Sequence, residues 1–425
     1  MQKTPQSLRL HIGLFGRTNV GKSSFLNFVA GQDVAITSPV PGTTTDVVLK
    51  TMELLPLGPV AFLDTAGLDD VSILSQARLK KTKKIFDASD VIFLVTEPDG
   101  WTGYEDEVVH EAQKRNIPVI MIVNKTDVKN PSKEFISFIK EKNPRSLFCS
   151  SLDLKARDQQ VHILKKYLIE VCPDDFLNPK ALVGDLVPKE GLALFIVPID
   201  LEAPKGRLIL PQVQAIRDIL DHDSAVLVVK EHEYAKTLKR LKKAPDLVVC
   251  DSQVVLKMVR QTPPSVKCTT FSILFSRSKG DLAEAVSGVR VLEKLKSGDK
   301  ILIAEACSHH AIEGDIGRIK IPLWLKERLN IPVKIDVVAG KDYPENLKEY
   351  KLVVHCGACM LTRRQMLARI EQARQQGVPI TNYGVCIAAL GGVLGRVLSP
   401  FEDILKKGPV REIFKMRRGK VEAEN

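Results

Sequence analysis

The sequence predicts an α/β protein in which a P-loop nucleotide-binding domain is followed by two further α/β domains with largely parallel sheets. Apolar runs typical of buried strands alternate with amphipathic helical stretches along nearly all of the 425 residues. At about 150 residues per domain, this length suffices for two to four domains with separate cores. A glycine-rich phosphate loop directly after the first apolar run assigns the first domain to its class.

Three blocks of this pattern give the predicted domain boundaries. The first domain, 1–173, runs from the strand LRLHIGLFG to the helix KKYLIEV, and a Pro-containing linker follows it. The second, 185–263, contains no glycine-rich loop or cluster of titratable residues, so we expect it to serve packing or oligomerisation. The third, 264–400, contains two strands that each end in a loop carrying Cys and His, and 401–425 is a basic tail.

The composition and charge indicate a cytoplasmic protein. Hydrophobic residues make up 44% and charged residues 27% of the chain, as in ordinary soluble proteins. No apolar run approaches the ~20 residues that span a bilayer, and the first residues, MQKTPQSLRLH, lack the apolar core of a signal peptide. The net charge of +11 is spread along the chain without interleaved aromatic residues. We therefore expect neither a membrane nor a nucleic acid among the partners.

A phosphate-binding loop is the first chemical motif. Residues 16–23, GRTNVGKS, match the pattern G-x-x-x-x-G-K-S between an apolar strand and the amphipathic helix SSFLNFVAG. Gly16 and Gly21 permit a loop whose backbone N–H groups point at phosphates at a helix N-terminus. Lys22 is expected to reach the β and γ phosphates, and Ser23 to bind magnesium.

A second motif distinguishes guanine from adenine. Residues 124–127, NKTD, match N-K-x-D at the end of the strand VIMIVNK. The carboxylate of Asp127 is expected to accept the ring N1–H and the exocyclic amine of guanine, two donors that adenine does not offer in that arrangement. Residues 150–152, SSL, match the supporting S-A-L loop with Ser in place of Ala. The predicted nucleotide is GTP.

Two switch elements lie between these motifs. Residues 64–67, DTAG, match D-x-x-G, in which Asp64 holds magnesium through water and the backbone N–H of Gly67 senses the γ-phosphate. The first switch contains three threonines, of which Thr44, ahead of Thr43, is predicted to complete the magnesium shell. Lys22, Thr44, Asp64 and Gly67 are therefore the residues expected to act in hydrolysis.

These motifs resemble the TrmE/Era-like branch of P-loop GTPases. In Ras-type enzymes a glutamine after the D-x-x-G element orients the attacking water, whereas this chain has Leu68, so the expected unaided hydrolysis is slow. Asn19 stands at the loop position that binds an activating potassium ion in the TrmE-like family, and a turn-forming asparagine is the alternative. The residues predicted to bind nucleotide, magnesium or potassium are Gly16, Asn19, Gly21, Lys22, Ser23, Ser24, Thr44, Asp64, Gly67, Asn124, Lys125, Asp127, Ser150 and Ser151.

The third block carries a set of cysteines and histidines. Cys307-x-His309 follows one apolar strand, and His355-Cys356-x-x-Cys359 follows another. Because the carboxyl ends of parallel strands meet at one edge of a sheet, these side chains are expected to come together there. A cytosolic chain of this size is not expected to be a disulfide scaffold, so the clustered cysteines indicate metal or redox chemistry.

Spacing alone leaves three interpretations of this set open. A structural zinc site would use a closed Cys3His tetrahedron. An iron–sulfur cluster would use three cysteines and leave a fourth position, for which Glu305 and His310 are additional candidates. Unrelated buried cysteines are the third interpretation.

A P-loop GTPase joined to a C-terminal C-x-H…H-C-x-x-C domain resembles the HydF family of [FeFe]-hydrogenase maturation GTPases. The resemblance covers essentially the whole chain, including segment 206–214, GRLILPQVQ, in the middle block. It implies a GTPase, a dimerisation and a cluster-binding domain, in a homodimer or higher oligomer. It also implies a [4Fe–4S] cluster on Cys307, Cys356 and Cys359, with His309 and His355 as further candidate ligands.

The resemblance implies the role of the whole protein as well. In that family the protein accepts a diiron precursor with carbonyl and cyanide ligands and delivers it to apo-[FeFe]-hydrogenase, with two radical-SAM maturases as partners. We therefore expect a GTP-hydrolysing scaffold and carrier, and the alternative is an RNA-modification or ribosome-assembly GTPase with a structural zinc domain. The cysteines expected to be structural are Cys149, Cys172, Cys250, Cys268 and Cys386.

Overall fold

A computed structural model of the chain describes residues 4–31, 48–64, 76–198, 208–306, 315–340 and 343–401. The chain forms two compact units, Met1–Pro179 and Lys180–Asn425. One sheet belongs to the first unit and two sheets belong to the second. No helix within the described ranges combines the length and the apolar composition that crossing a membrane requires.

The first unit is built on a six-stranded sheet in the order β2-β3-β1-β4-β5-β6. All neighbouring strands are parallel except β2, which is antiparallel to β3. Strands covered on both faces are apolar throughout, and accordingly every residue of β1 and β4 is buried. The strands are β1 (Leu10–Phe15), β2 (Val48–Leu54), β3 (Gly58–Asp64), β4 (Val91–Thr96), β5 (Val119–Val123) and β6 (Ser146–Phe148).

Helices complete the first unit, and two of them, α3 and α4, begin with side-chain caps. The hydroxyl of Thr102 and the carboxylate of Glu105 form a reciprocal capping box at the start of α3, and Ser132 caps α4. Phe25 of α1 meets Phe93 of the sheet edge-to-face, with ring centroids 6.2 Å apart. The helices are α1 (Lys22–Ala30), α2 (Gln76–Ala88), α3 (Gly103–Lys114), α4 (Lys133–Lys142), α5 (Arg157–Val171) and α6 (Asp174–Leu177).

The second unit begins with a four-stranded parallel sheet in the order β10-β9-β7-β8. Its last strand, β10, pairs with β9 through Cys268 and Val248, so the sheet extends beyond residue 263. This corrects the predicted boundary between the second and third domains, because a cut there would remove an edge strand from its sheet. The elements are β7 (Leu192–Ile196), α7 (Leu210–Asp221), β8 (Ala225–Val229), α8 (Tyr234–Arg240), β9 (Leu247–Cys250), α9 (Val255–Gln261) and β10 (Lys267–Thr270).

The third sheet is parallel as well and has the order β12-β11-β13-β14. Its strands share one continuous apolar core with the preceding sheet, in which Val249, Phe271 and Ile303 are all buried. The prediction of largely parallel α/β architecture is therefore confirmed. The elements are α10 (Phe271–Lys279), α11 (Leu282–Val289), β11 (Lys300–Ala304), α12 (Ile321–Leu329), β12 (Lys334–Val338), β13 (Leu352–His355), α13 (Arg363–Gln375), β14 (Ile380–Asn382), α14 (Tyr383–Leu390) and α15 (Leu394–Val397).

Candidate functional site

The phosphate loop joins β1 to α1 and depends on residues that tolerate unusual backbone angles. Gly16 and Gly21 have φ angles of 151° and 91°, and a Cβ atom on Gly16 would lie 2.3 Å from the carbonyl oxygen of Val95. Both positions therefore require glycine. Asn19 has a φ angle of 66°, which asparagine adopts more readily than most residues, and its side chain is exposed.

The lysine of this loop is held inside the loop itself. Lys22 is 7% exposed, and its Nζ donates to the carbonyl oxygens of Gly16 at 2.5 Å and Arg17 at 3.0 Å. Ser23 and Ser24 follow it in the first turn of α1 and are exposed. The loop thus presents a cation and two hydroxyl-bearing residues at a helix N-terminus, an arrangement suited to phosphate and magnesium.

Asn124 connects three loops at the carboxyl edge of the sheet. Its side-chain Nδ2 donates to the carbonyl oxygen of Val20 at 3.1 Å, and its Oδ1 accepts from Ser151 N and Oγ at 3.1 and 2.8 Å. Asn124 is 2% exposed, and a Cβ on Gly21 would lie 2.4 Å from its Nδ2. Ser150 is buried too and its Oγ accepts from Leu152 N. These amide and hydroxyl groups therefore fasten the guanine loops to the phosphate loop.

The remaining described residues of the nucleotide site differ in accessibility. Asp127 is exposed, which leaves its carboxylate open to a base. Lys125 has a φ angle of 62°, and its Nζ lies 3.5 Å from the Glu97 carboxylate. Asp64 ends β3, pairs with Leu14 of β1 and is 3% exposed. The other predicted switch residues, which lie outside the described residues, are Thr43, Thr44, Gly67 and Leu68.

The structure adds a tether of the phosphate loop that the motifs do not contain. Arg17 Nε donates to Glu105 Oε1 at 2.8 Å, its Nη2 donates to the carbonyl of Gly100, and Gly16 N donates to Tyr104 Oη at 3.3 Å. Glu105 is fully buried and also accepts from Thr102. The pattern T-x-x-E indicates a capping box in the sequence. It does not indicate that the Glu105 of this box also holds the phosphate loop through Arg17.

The second candidate site lies at the carboxyl end of β13. Cys356 and Cys359 are both partly exposed on the short loop that follows this strand. Burial raises the pKa of the Cys356 thiol to about 11, and it raises the pKa of Cys359 as well. The backbone N–H of Ala306, just after β11, donates to Cys356 Sγ at 3.1 Å. The carboxyl ends of β11 and β13 therefore lie side by side.

Three of the predicted candidate ligands lie outside the described residues. These are Cys307, His309 and the additional candidate His310. Within the described ranges, no group of three or more Cys, His, Asp or Glu side chains is placed to hold a metal ion.

His355 is turned into the protein and does not present a free nitrogen. Its Nδ1 donates to the carbonyl oxygen of Cys356 at 2.9 Å, and its Nε2 accepts from Arg369 Nη1 at 2.8 Å. Burial, with the nearby Arg369 charge, lowers the pKa of His355 to about 3. Both ring nitrogens are occupied, so this structure does not support the prediction of His355 as an iron ligand. The imidazole instead braces the backbone of the cysteine loop.

Glu305, the other candidate for a fourth ligand, is also engaged. It is 3% exposed, and its carboxylate accepts from Tyr383 Oη at 3.4 Å and from Arg318 Nη2 at 3.5 Å. A Cβ on Gly317 would lie 2.6 Å from its Oε1, so the π-helical turn before α12 closes over it. The positive charge of Arg318 therefore balances the negative charge of the Glu305 carboxylate.

A small pocket opens beside the cysteine loop. Its walls come from α10, α11, β14 and the loop, and Cys356 lies in one of them. Asp281 and Glu284 at the start of α11 supply charged lining, while Phe275 and Ile370 supply apolar lining. A small ligand of mixed polarity next to a thiol fits this description.

The cysteines expected to be structural are buried without disulfide bonds. Burial raises the pKa of each thiol, to about 11 for Cys268 and about 12 for Cys149 and Cys386. Such neutral thiols act as small apolar side chains. The remaining members of this group are Cys172 and Cys250.

Comparison with known families matches the two units separately. The models for the hydrogen maturase F dimerization domain and tetramerization domain match residues 182–280 and 283–400, together just over half of the chain. The model for the 50S ribosome-binding GTPase matches residues 11–125.

The individual relatives are GTPases. The tRNA modification GTPase MnmE of Prochlorococcus marinus (strain NATL2A) is 40% identical over 123 residues, 28% of this chain, and the chain spans about a quarter (26%) of that relative. GTPase Era of Thermoanaerobacter sp. (strain X514) is 30% identical over 240 residues, 52% of this chain and 76% of the relative. A solved structure of Aquifex aeolicus Era bound to GDP and AlF4− has 18% identity and a TM-score of 0.31, covering 86% of this chain and 98% of that one.

Proposed function

The chain belongs to the hydrogen maturase F family, with a TrmE/Era-like GTPase as its first domain, and we propose that it is a scaffold that carries an iron–sulfur cluster and a diiron cargo. It is a GTPase, and it forms oligomers through the domains after residue 181. We further propose that the cargo is a diiron precursor with carbonyl and cyanide ligands, which this protein passes to apo-[FeFe]-hydrogenase. Radical-SAM maturases load it, and the work takes place in the cytoplasm.

The cysteine loop carries this proposal. Two partly exposed thiols, Cys356 and Cys359, stand on one loop at a ligand-binding sheet edge. The amide of Ala306 donates to Cys356 Sγ, and Cys307, which lies outside the described residues, is the next residue in the sequence. We propose Cys307 as the third cysteine of the site on this ground. Two thiols on one loop, an N–H group that donates to sulfur, and Cys307 as the proposed third ligand would suit a [4Fe–4S] cluster.

Each side chain around the cluster then has a distinct task. Cys307, Cys356 and Cys359 hold the iron, and the bound cluster supplies a redox-active iron with one exchangeable position. The Ala306 N–H stabilises negative charge on the Cys356 sulfur. His355, braced by Arg369, fixes the Cys356 carbonyl and with it the direction of the loop.

The neighbouring pocket is our proposed place for the cargo. Cys356 lies in its wall, so a cargo bound there would lie next to the cluster. The backbone N–H of Gly384, at the start of α14, donates to Asn382 Oδ1 and Ser272 Oγ, which keeps this wall rigid.

In the nucleotide site we propose roles that follow the motifs. Lys22 leaves the carbonyls of Gly16 and Arg17 for the β and γ phosphates, Ser23 and Thr44 bind magnesium, and Asp64 holds it through water. The γ-phosphate then orders the switch segments, and its hydrolysis releases them and alters how partners dock.

Potassium is proposed as the activating ion of this reaction. The observation is Asn19, an exposed left-handed residue in the phosphate loop, together with Leu68 where Ras-type enzymes have glutamine. We expect faster turnover in potassium chloride than in sodium chloride at equal ionic strength. Equal rates would leave Asn19 a turn residue only.

The cluster is tested on anaerobically purified and reconstituted protein. We expect brown protein with iron and sulfide, an electron paramagnetic resonance signal after reduction, and activation of apo-hydrogenase. Cys307→Ala, Cys356→Ala and Cys359→Ala should each lose the cluster, whereas Cys149→Ala, a buried thiol of the first unit, should keep it. Colourless protein with zinc would favour an RNA-modification or ribosome-assembly GTPase with a structural zinc domain.

A further inference from the structure

Lys279 is a buried lysine next to the cysteine loop. It is the last residue of α10, it is 8% exposed, and its Nζ donates to the carbonyl oxygens of Cys359 at 3.0 Å and Leu361 at 2.8 Å. The Phe275 ring lies beneath the ammonium, 5.5 Å from Nζ to the ring centroid. These partners belong to a segment 80 residues further along the chain, so the contact is tertiary.

The burial of this charge is unusual for a lysine. Lys279 forms no ion pair with a carboxylate among the residues that the structure describes. A buried ammonium is costly unless it is paired, and two carbonyl dipoles with one aromatic face are partial compensation. Burial accordingly lowers the pKa of Lys279 to about 8, and the Cys359 thiol beside it acts in the opposite direction. The two carbonyl groups that hold this cation therefore both belong to the cysteine loop, and one of them is that of Cys359 itself.

We propose that Lys279 is the fixed counter-cation of the cysteine loop, which holds the 359–361 backbone in place and stabilises negative charge on the cluster sulfurs. The inference rests on the proposed cluster, but its two parts are separable. Holding the backbone requires donors at the position of Nζ, whereas stabilising a reduced cluster requires a positive charge there.

Three substitutions separate the donors from the charge. Lys279→Arg keeps both, Lys279→Gln keeps a donor without the charge, and Lys279→Met keeps neither. Lys348→Met is the matched control, because Lys348 is an exposed lysine of the same unit. Circular dichroism melts of the full chain establish that each variant is folded.

The first measurement is hydrogen exchange of the loop amides in metal-free full-length protein. We expect the amides at 359–361 to exchange at least tenfold faster in Lys279→Met and at the parent rate in Lys348→Met. This measurement needs no cluster. Unchanged exchange in folded Lys279→Met overturns the positioning role, whether or not the protein binds iron.

The second measurement is the midpoint potential of the reconstituted cluster, followed by electron paramagnetic resonance. Removing a nearby positive charge disfavours the reduced, more negative cluster, so Lys279→Gln and Lys279→Met should lower the potential. An about tenfold change in the reduction equilibrium corresponds to about 59 mV for one electron. Lys279→Arg and Lys348→Met should match the parent.

The outcomes distinguish this inference from the proposed function. Parent protein that holds a cluster, with the same potential in Lys279→Gln as in the parent, overturns the charge role of Lys279 and leaves the cluster proposal intact. Parent protein that takes up no iron and sulfide overturns the cluster proposal, and the charge role with it. If Lys279→Met fails to fold, exchange in Lys279→Ala, which also lacks the donors, decides the positioning role, and the potential of Lys279→Gln decides the charge role.

Discussion

In the first unit, we expect single side chains to select the nucleotide and to hold the loops of the site in place. Asp127 is exposed at the end of the NKTD loop. Asn124 of the same motif is buried, and its side chain forms hydrogen bonds with Val20 and Ser151. Within this motif we therefore expect Asp127 to contact the base, whereas Asn124 supports the loops. Changes at the two positions should have different consequences.

Replacing Asp127 should weaken guanine binding without unfolding the protein. Asp127→Asn removes the acceptor for the guanine N1–H and amine, and at about 1–3 kcal/mol for each lost partner GTP affinity should fall tenfold or more. Titration calorimetry with GTP measures this. Asp158→Asn is the control, because that side chain is 95% exposed on α5. Undiminished GTP affinity in Asp127→Asn would mean that the guanine assignment is wrong.

His11 makes the first unit sensitive to acid. Its ring lies between the carbonyls of Gln6 and Ala88, and burial lowers its pKa from 6.5 to about 4. The folded state therefore binds this proton more weakly than the unfolded state, so the stability is complete above pH 6.5 and is lost as the pH falls towards 4. Between pH 7 and pH 5 the loss should be about 2 kcal/mol.

Trp101 fluorescence can follow this effect in the first unit. In a Trp324→Phe background, urea unfolding at pH 7 and pH 5 should show the loss, and adding His11→Gln should flatten it. An equally steep pH dependence with glutamine would assign the acid sensitivity to other groups.

At the scale of elements, the start of α3 holds the phosphate loop through Arg17 and Glu105. Glu105 is fully buried whereas the Arg17 side chain is 31% exposed, so the two partners are not equivalent. Arg17→Ala leaves a buried carboxylate without its cation and should cost about 2 kcal/mol, more than Glu105→Gln. Adding Glu105→Gln to Arg17→Ala should then recover stability. Urea unfolding of the parent, the two single variants and the double variant measures these free energies. If the two losses of stability simply add up in the double variant, the coupling between Arg17 and Glu105 is contradicted.

The edge strand β8 is the element we expect at the dimer interface. It ends its sheet, and Val228 is 39% exposed beside α7, where Leu220 is 51% exposed. By contrast, β10 at the other edge is covered, since Cys268 N donates to Ser399 Oγ. An open apolar edge in a region matched by a dimerization-domain model favours a second copy of the chain as its partner.

A charge on this edge should therefore break the dimer. Val228→Lys is expected to halve the mass measured by light scattering, because lysine would be desolvated in a paired edge. Val337→Lys, at a 38% exposed valine of β12, should keep the β8 contact. A dimer that survives Val228→Lys would place the interface elsewhere.

At the scale of the whole molecule, the two chemistries belong to different compact units. The described nucleotide motifs lie before Pro179, and the cysteine loop lies after Lys180. We therefore expect Cys356→Ala to abolish cluster reconstitution and hydrogenase activation while GTP hydrolysis stays near the parent rate. Phosphate release and iron analysis on the same preparation measure both. Loss of hydrolysis in folded Cys356→Ala would reveal coupling between the units.

The sequence by itself determined the α/β class, the GTPase and the family, because each depends on short, contiguous patterns. A phosphate loop is eight consecutive residues between a strand and a helix, so GRTNVGKS identifies it without any knowledge of distant contacts. The ends of strands can also be predicted from local sequence, and the loop that contains Cys356 does follow β13. The cluster ligand set itself stays a prediction.

Only the tertiary structure decided which groups support these motifs, because support comes from residues far apart in the chain. His355 lies at a sequence position that suits a metal ligand, but its imidazole Nε2 accepts a hydrogen bond from Arg369 of α13. In the sequence, Lys279 and Arg17 look like ordinary basic residues. In the fold, Lys279 is buried against the cysteine loop, and Arg17 forms an ion pair with buried Glu105. Burial and partners set the chemistry of a titratable side chain, and neither is encoded in local spacing.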